Sequence, residues 1–207
     1  MAETDKTTVA ASGAAPVKKA PAPVSPGTKA LRDVVSNVYA AAWKAKEEGR
    51  PVGWSSSKFP CEITEALGLA VVYPENQAAG IAAQHDGERM CQIAEEMGFD
   101  ADICGYARIS LACAAGAITT NESRRVPLPD FVICCNNICN CMTKWYENIC
   151  RMNDIPLIMI DVPYNNEVTV SDDQVAYIRA QFDDAIVQLE KIAGKKMDPK
   201  KFEQACA

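Results

Sequence analysis

Four cysteines, Cys134, Cys135, Cys139 and Cys141, fall within eight residues of the run Pro129-Asp-Phe-Val-Ile-Cys-Cys-Asn-Asn-Ile-Cys-Asn-Cys-Met-Thr-Lys-Trp-Tyr146. Thiolates are soft ligands that suit iron–sulfur clusters and zinc, and they also serve redox chemistry. Core packing explains one buried cysteine, or an adjacent pair at a strand end. It explains poorly a cysteine at a polar turn with another two residues later. A metal or iron–sulfur role is therefore the first reading, with packing and redox sensing as the others.

The surrounding residues say what must hold these thiols. Phe131, Val132 and Ile133 read as a buried strand, Asn136-Asn137 as a turn, and Ile138 to Cys150 has helical spacing. The thiols thus lie at a strand end, a turn and a helix start. In an open α/β sheet this is the edge that binds ligands. The free N–H groups of a helix start also favour the thiolate over the thiol.

The 207 residues are 48% hydrophobic, enough for one core around a full sheet. A net charge of −6 argues against a nucleic-acid surface. There is no apolar run of about 18 residues to cross a membrane. The first residues, MAETDKTTVAASGAAPVKK, lack the apolar segment of a secretory signal. Ten cysteines without such a signal imply a cytoplasmic protein with reduced thiols. His85 is the single histidine, so catalytic triads and His-based zinc sites lack material, and it reads as a helix-surface residue. No GxxxxGK[ST] loop is present for ATP hydrolysis.

Along the chain, residues 1–26 are rich in Ala, Pro, Ser, Thr and Lys and read as disordered, with one domain over 27–207. A helix follows Pro26-Gly27-Thr28, with Leu31, Val34, Val35, Val38, Tyr39 and Trp43 at three- and four-residue steps. Pro51 to Pro60 reads as a polar loop, Glu62 to Leu67 as a short helix, Leu69 to Tyr73 as a strand. Pro74 to Ala83 is expected as a loop or helical turn, and His85 to Met97 as an amphipathic helix. Cys104 sits in a turn before a helix over Tyr106 to Ala115. A strand over 131–135 leads into the helix ending near Met152, and a third strand spans 156–161. A long helix over Asp172 to Ala193 and a short one after Asp198-Pro199 complete the pattern. Near-continuously apolar strands alternating with helices predict an α/β fold, a parallel sheet with helices on both faces.

Several segments, VGWSSSKFPCEITEALGL, YPENQAAGIAA, DICGYARISLA, PDFVICCNNICNCMTKWYE, IPLIMIDVPYN and GKKMDPKKFEQ, resemble the 2-hydroxyacyl-CoA dehydratases across nearly all of residues 51–207. The resemblance is nearest to the alpha subunits of those acting on (R)-2-hydroxyglutaryl-CoA. It implies Rossmann-like domains flanking a [4Fe-4S] cluster held by three cysteines, with one iron open. The first family cysteine opens a helix, matched by Asp102-Ile-Cys104-Gly-Tyr-Ala-Arg108. The second follows a strand in a Cys-[Asp/Asn]-x-Met-x-Lys pattern, matched by Cys139-Asn-Cys-Met-Thr-Lys144. A family serine in a Ser-x-x-Pro motif lies near the open iron, and Ser57 matches it. Cys134, Cys135 and Cys141 are left as neighbours of the cluster or alternative ligands.

The implied reaction removes water from a 2-hydroxyacyl thioester, as in (R)-2-hydroxyglutaryl-CoA to glutaconyl-CoA. The hydrogen lost is on the β carbon, which the thioester does not acidify. One electron added to the carbonyl makes a ketyl radical anion, which expels hydroxide and renders the β proton acidic. The resemblance implies as partners a beta subunit and an ATP-dependent iron–sulfur activator, with a flavin in the full complex. The third family cysteine belongs to the carboxyl-terminal half of the subunit, beyond Ala207, and the loop from Ile118 to Pro127 is short for the family. The chain is accordingly expected to be an amino-terminal domain, truncated or split from a complete subunit, with a non-catalytic folded fragment or a Cys-based metal or redox module as the alternatives. Its cleft is expected to be open on one side, leaving Trp54, Tyr106 and the Cys134–Cys141 run more exposed than a finished core.

Overall fold

The computed structural model describes residues 23–207. Most of the segment expected to be disordered, residues 1–22, lies outside the described residues. Four parallel strands, β1 (Val52–Ser55), β2 (Ala70–Val72), β3 (Phe131–Cys135) and β4 (Leu157–Ile160), form one sheet in the order β2-β1-β3-β4. The helices are α1 (Pro26–Glu47), α2 (Cys61–Ala66), α3 (Pro74–Ala83), α4 (Gly87–Glu96), α5 (Gly105–Ala114), α6 (Asn140–Asn153), α7 (Asp172–Ala193) and α8 (Pro199–Ala205).

Both faces of the sheet are covered, as the apolar strands require. One core gathers Tyr39 and Ala42 of α1, Ile81 of α3, Met90 of α4, Leu111 of α5 and Ile149 of α6 against Val52, Trp54, Val132 and Cys134. The other gathers Ile63 of α2, Ala185 and Leu189 of α7 and Phe202 of α8 against Phe131, Ile133, Ile158 and Ile160. The long helix α7 opens on a Ser171–Gln174 capping box and closes on Gly194 in the left-handed region, so its two ends satisfy their own backbone groups.

The structure corrects the reading of Pro51 to Pro60 as a loop. Val52-Gly-Trp-Ser55 is the strand at the centre of the sheet, paired with both β2 and β3 and wholly buried. Its short run and its glycine disguise it, yet both have a packing reason. A Cβ on Gly53 would stand 2.5 Å from two ring carbons of Phe131, so only glycine admits that ring. Trp54 donates its indole N–H to the Pro127 carbonyl (3.0 Å), which meets the one polar need of a fully buried tryptophan. At the start of the strand, the Val52 N–H donates to the Asp130 carboxylate (2.7 Å), and Lys46 pairs with the same group (2.6 Å).

Other differences are local. Pro74 to Ala83 is a full helix, its proline in the first turn where no N–H is needed. His85 is exposed but not helical. It takes a positive φ of 63° in the tight turn between α3 and α4. The next residue, Asp86, is buried and holds that turn to the segment after α5. It accepts two bonds from Arg89 (2.7 and 2.9 Å), one from the Thr119 hydroxyl and one from the Thr120 N–H (both 2.9 Å).

The Arg89 guanidinium, with those two further donors, holds the Asp86 carboxyl well below the usual carboxylate range. A depressed pKa contributes stability above the unfolded-state value, and that stability is lost as pH falls through the folded-state value. Asp86→Asn is expected to lower stability by about 2–3 kcal/mol at pH 7. The gap to the parent should stay constant down to about pH 5 and narrow below about pH 4. Urea unfolding at a series of pH values reads both; a gap that persists unchanged at the acid end contradicts the assignment.

Candidate functional site

The strand order places a topological switch at β1. The chain leaves β1 for β2 on one side, then returns for β3 on the other. The crevice outside the carboxyl ends of β1 and β3 is where such sheets bind ligands. Ser56 to Pro60 follow β1 there, and Asn136 to Cys139 follow β3.

Ser57 is exposed at this crevice. Its N–H donates to Glu75 Oε1 (3.1 Å), and Tyr146 donates its hydroxyl to Glu75 Oε2 (2.7 Å). Glu75 stands in the first turn of α3, where the free N–H groups favour a carboxylate. Tyr146 is fully buried, and burial with the nearby Glu75 charge pushes its hydroxyl well above the ordinary tyrosine range. It stays a donor at any physiological pH. One carboxylate thereby ties the Ser57 turn to α3 and α6. Neither Glu75 nor Tyr146 stands out in the sequence; the one signal for Glu75 is an acidic residue just after Pro74 at a strand end.

A second polar tie fixes the other side of the crevice. Asn136 donates to Asp161 and accepts the Val162 N–H (2.7 Å), joining the loops after β3 and β4. Tyr177 of α7 donates to Asp161 as well (2.7 Å).

The thiols divide by position. Cys104 and Cys139 are exposed, and each is the N-cap residue of its helix, α5 and α6, without a side-chain capping bond. Cys141 is half-buried in the first turn of α6, with Cys104 and Cys139 both near it. Burial raises the Cys141 thiol, the Cys104 N–H facing it acts in the opposite sense, and the two neighbouring thiols raise it further. Cys91 of α4 lies beside Cys104 on the other flank, its thiol toward the Gly105 carbonyl (3.7 Å). The structure thus gathers Cys91, Cys104, Cys139 and Cys141 around the starts of α5 and α6.

Cys134 and Cys135 are not part of that group. Both are buried on β3, and burial pushes the Cys134 thiol up to about 12. A thiol so raised is protonated at neutral pH and is a poor ligand where it stands. Cys113 and Cys150 are buried as well, raised by burial to about 12 and about 11. All ten cysteines are free. Among the described residues, no three His, Cys, Asp or Glu side chains converge to hold a single metal ion, and no helix is long and apolar enough to cross a membrane.

The expected exposure of the cleft is met in part. Tyr106, Cys139 and the Asn136–Asn140 turn are exposed, and Cys141 is half-buried. Trp54, Cys134 and Cys135 are buried, because Trp54 belongs to the central strand and the two cysteines to β3. The openness is confined to the loops beyond the strands.

Residues 56–207 match the family model of the 2-hydroxyglutaryl-CoA dehydratase D-component. The chain is 49% identical to the alpha subunit of (R)-2-hydroxyglutaryl-CoA dehydratase of Acidaminococcus fermentans, with 90% of this chain and 54% of that protein covered. It is 57% identical to the (R)-phenyllactyl-CoA dehydratase alpha subunit of Clostridium sporogenes, covering 84% of this chain and 42% of the relative. The identity to the (R)-2-hydroxyisocaproyl-CoA dehydratase alpha subunit of Clostridioides difficile is 54%, with the same coverage. The chain spans about half the length of these relatives.

Proposed function

Because this chain belongs to the 2-hydroxyglutaryl-CoA dehydratase D-component family, we propose that it forms the amino-terminal part of the alpha-type subunit of a 2-hydroxyacyl-CoA dehydratase, a hydro-lyase. The observation that carries this is the pair of exposed thiols, Cys104 and Cys139, at the starts of two helices with Cys141 near both. These thiols fit a [4Fe-4S] cluster, which is wider than a single ion and takes its ligands from separate elements. Cys104 and Cys139 would hold it, with the third ligand from the remainder of the subunit. When bound, such a cluster supplies a low-potential electron and an open iron as Lewis acid to the thioester.

The chain's own residues prepare the site. The free N–H groups at the starts of α5 and α6 would favour the negative charge of a cluster held there. Glu75 fixes the Ser57 turn, so that its hydroxyl meets the substrate with little reorganisation. Free thiols throughout suit the reducing cytoplasm. The partners in this reading are a beta subunit and an ATP-dependent activator that delivers the electron, with a flavin in the full complex. The relatives' names carry 2-hydroxyglutaryl, phenyllactyl and 2-hydroxyisocaproyl groups, so the substrate class is a 2-hydroxyacyl-CoA thioester.

The test is water elimination by the chain assembled anaerobically with the rest of its subunit, the beta subunit and the activator. Ser57→Ala is expected to lower kcat by about 10- to 100-fold with iron content unchanged. Failure of the iron-loaded parent assembly to dehydrate any 2-hydroxyacyl-CoA overturns the proposal. An undiminished kcat in the variant removes Ser57 from the site.

A further inference from the structure

Beside Ser57 a cavity of about 400 Å³ runs between α1, the turn after β1 and the end of β2. Val34, Val38 and Phe59 give it an apolar wall, and Tyr39, Tyr73 and Asn76 line the rest. Among the described residues, no lysine, arginine or histidine lines it. At its Ser57 edge stands the Glu75 carboxylate, which accepts the Ser57 N–H. Burial, the neighbouring Cys61 thiol and the Glu62 and Glu75 carboxylates together raise the Tyr73 hydroxyl to about 12. Arg124 does reach Tyr39, but it lines the neighbouring cleft with Thr28, Arg32 and Ser36 instead.

A carboxylate entering this cavity would shed its water with no cationic side chain among the described lining residues to receive it, and would meet the Glu75 carboxylate at the Ser57 turn. An alkyl or aryl group would lose only unfavourable contact with water. We propose that this cavity takes the acyl tail of the substrate and that the tail is uncharged and apolar, a branched alkyl or aryl group rather than the carboxylate of a 2-hydroxyglutaryl chain. The inference rests on the dehydratase reading, which puts the thioester beside Ser57, and adds to it the choice among acyl groups.

Calorimetric titration of the anaerobically prepared, iron-loaded assembly with CoA thioesters reads the choice without turnover. The ligands are the thioesters of 2-hydroxy-4-methylpentanoate, 3-phenyllactate and 2-hydroxyglutarate. The first two are expected to bind about tenfold or more tightly than the third. Val34 is 59% exposed on α1, so lysine there does not disturb the core. Val34→Lys should weaken the apolar ligands and tighten 2-hydroxyglutaryl-CoA, reversing or erasing the preference, a gain that an unfolded variant cannot show. Equal or tighter binding of 2-hydroxyglutaryl-CoA by the parent overturns the inference, as does a preference unmoved in Val34→Lys. If no thioester binds, the inference also falls, whereas the dehydratase reading stands or falls separately on iron content and water elimination.

Discussion

Cys139→Ser and Cys104→Ser should each abolish the cluster absorption and electron paramagnetic signal of the anaerobically reconstituted protein, with iron bound falling about tenfold or more. A serine hydroxyl keeps the size of the side chain but not the soft thiolate donor. Both residues are exposed N-caps, and serine is itself a favourable N-cap, so the helices should lose no stability. That separates ligand loss from unfolding. Cys134→Ser supplies the contrast, because its thiol is buried in β3 and raised to about 12. It should cost stability, because a more polar hydroxyl replaces a thiol in the core, while iron bound by the folded protein stays unchanged. Cys141→Ser distinguishes a neighbour from a ligand: partial loss marks a neighbour, full loss a ligand. Iron retained by both Cys104→Ser and Cys139→Ser would move the site elsewhere.

Gly53→Ala should destabilise the fold by about 2–3 kcal/mol despite adding a single methyl. The new Cβ meets the Phe131 ring at 2.5 Å and the Val71 side chain at 3.0 Å, between strands that are hydrogen-bonded on both sides. Phe131 is fully buried and has no free volume to withdraw into. The pairing of cause and effect is checked by a double-mutant cycle. Phe131→Leu alone loses packing, but in the Gly53→Ala background it relieves the clash, so the two effects should be non-additive by about 1 kcal/mol or more in urea unfolding. Additive losses would place the strain somewhere other than this contact. The strand it tests also sets Ser57, which follows β1 by two residues.

These two positions also show what a sequence can and cannot display. Phe131 to Cys135 and Leu157 to Ile160 are legible because unbroken apolar runs of that length bury both sides of a strand. Their thiols, turn and following helix are legible for the same reason. β1 is not, because its glycine is explained only by a ring 78 residues away, and its Trp54 by the Pro127 carbonyl. The role of Glu75 was hidden similarly, since its partners come from Ser57 and Tyr146, distant in sequence. Type and spacing put Cys134 and Cys139 in one cluster. Only the pleat of β3 and the cap of α6 separate a buried thiol from an exposed one.

The central claim is that Cys104 and Cys139 serve a [4Fe-4S] cluster in a dehydratase subunit. Iron and acid-labile sulfide measured on the protein purified anaerobically, together with the rest of its subunit, test it most directly. Iron and sulfide are expected in equal amounts, about four of each per subunit. Zinc in place of iron, or neither metal in the folded assembly, would contradict it.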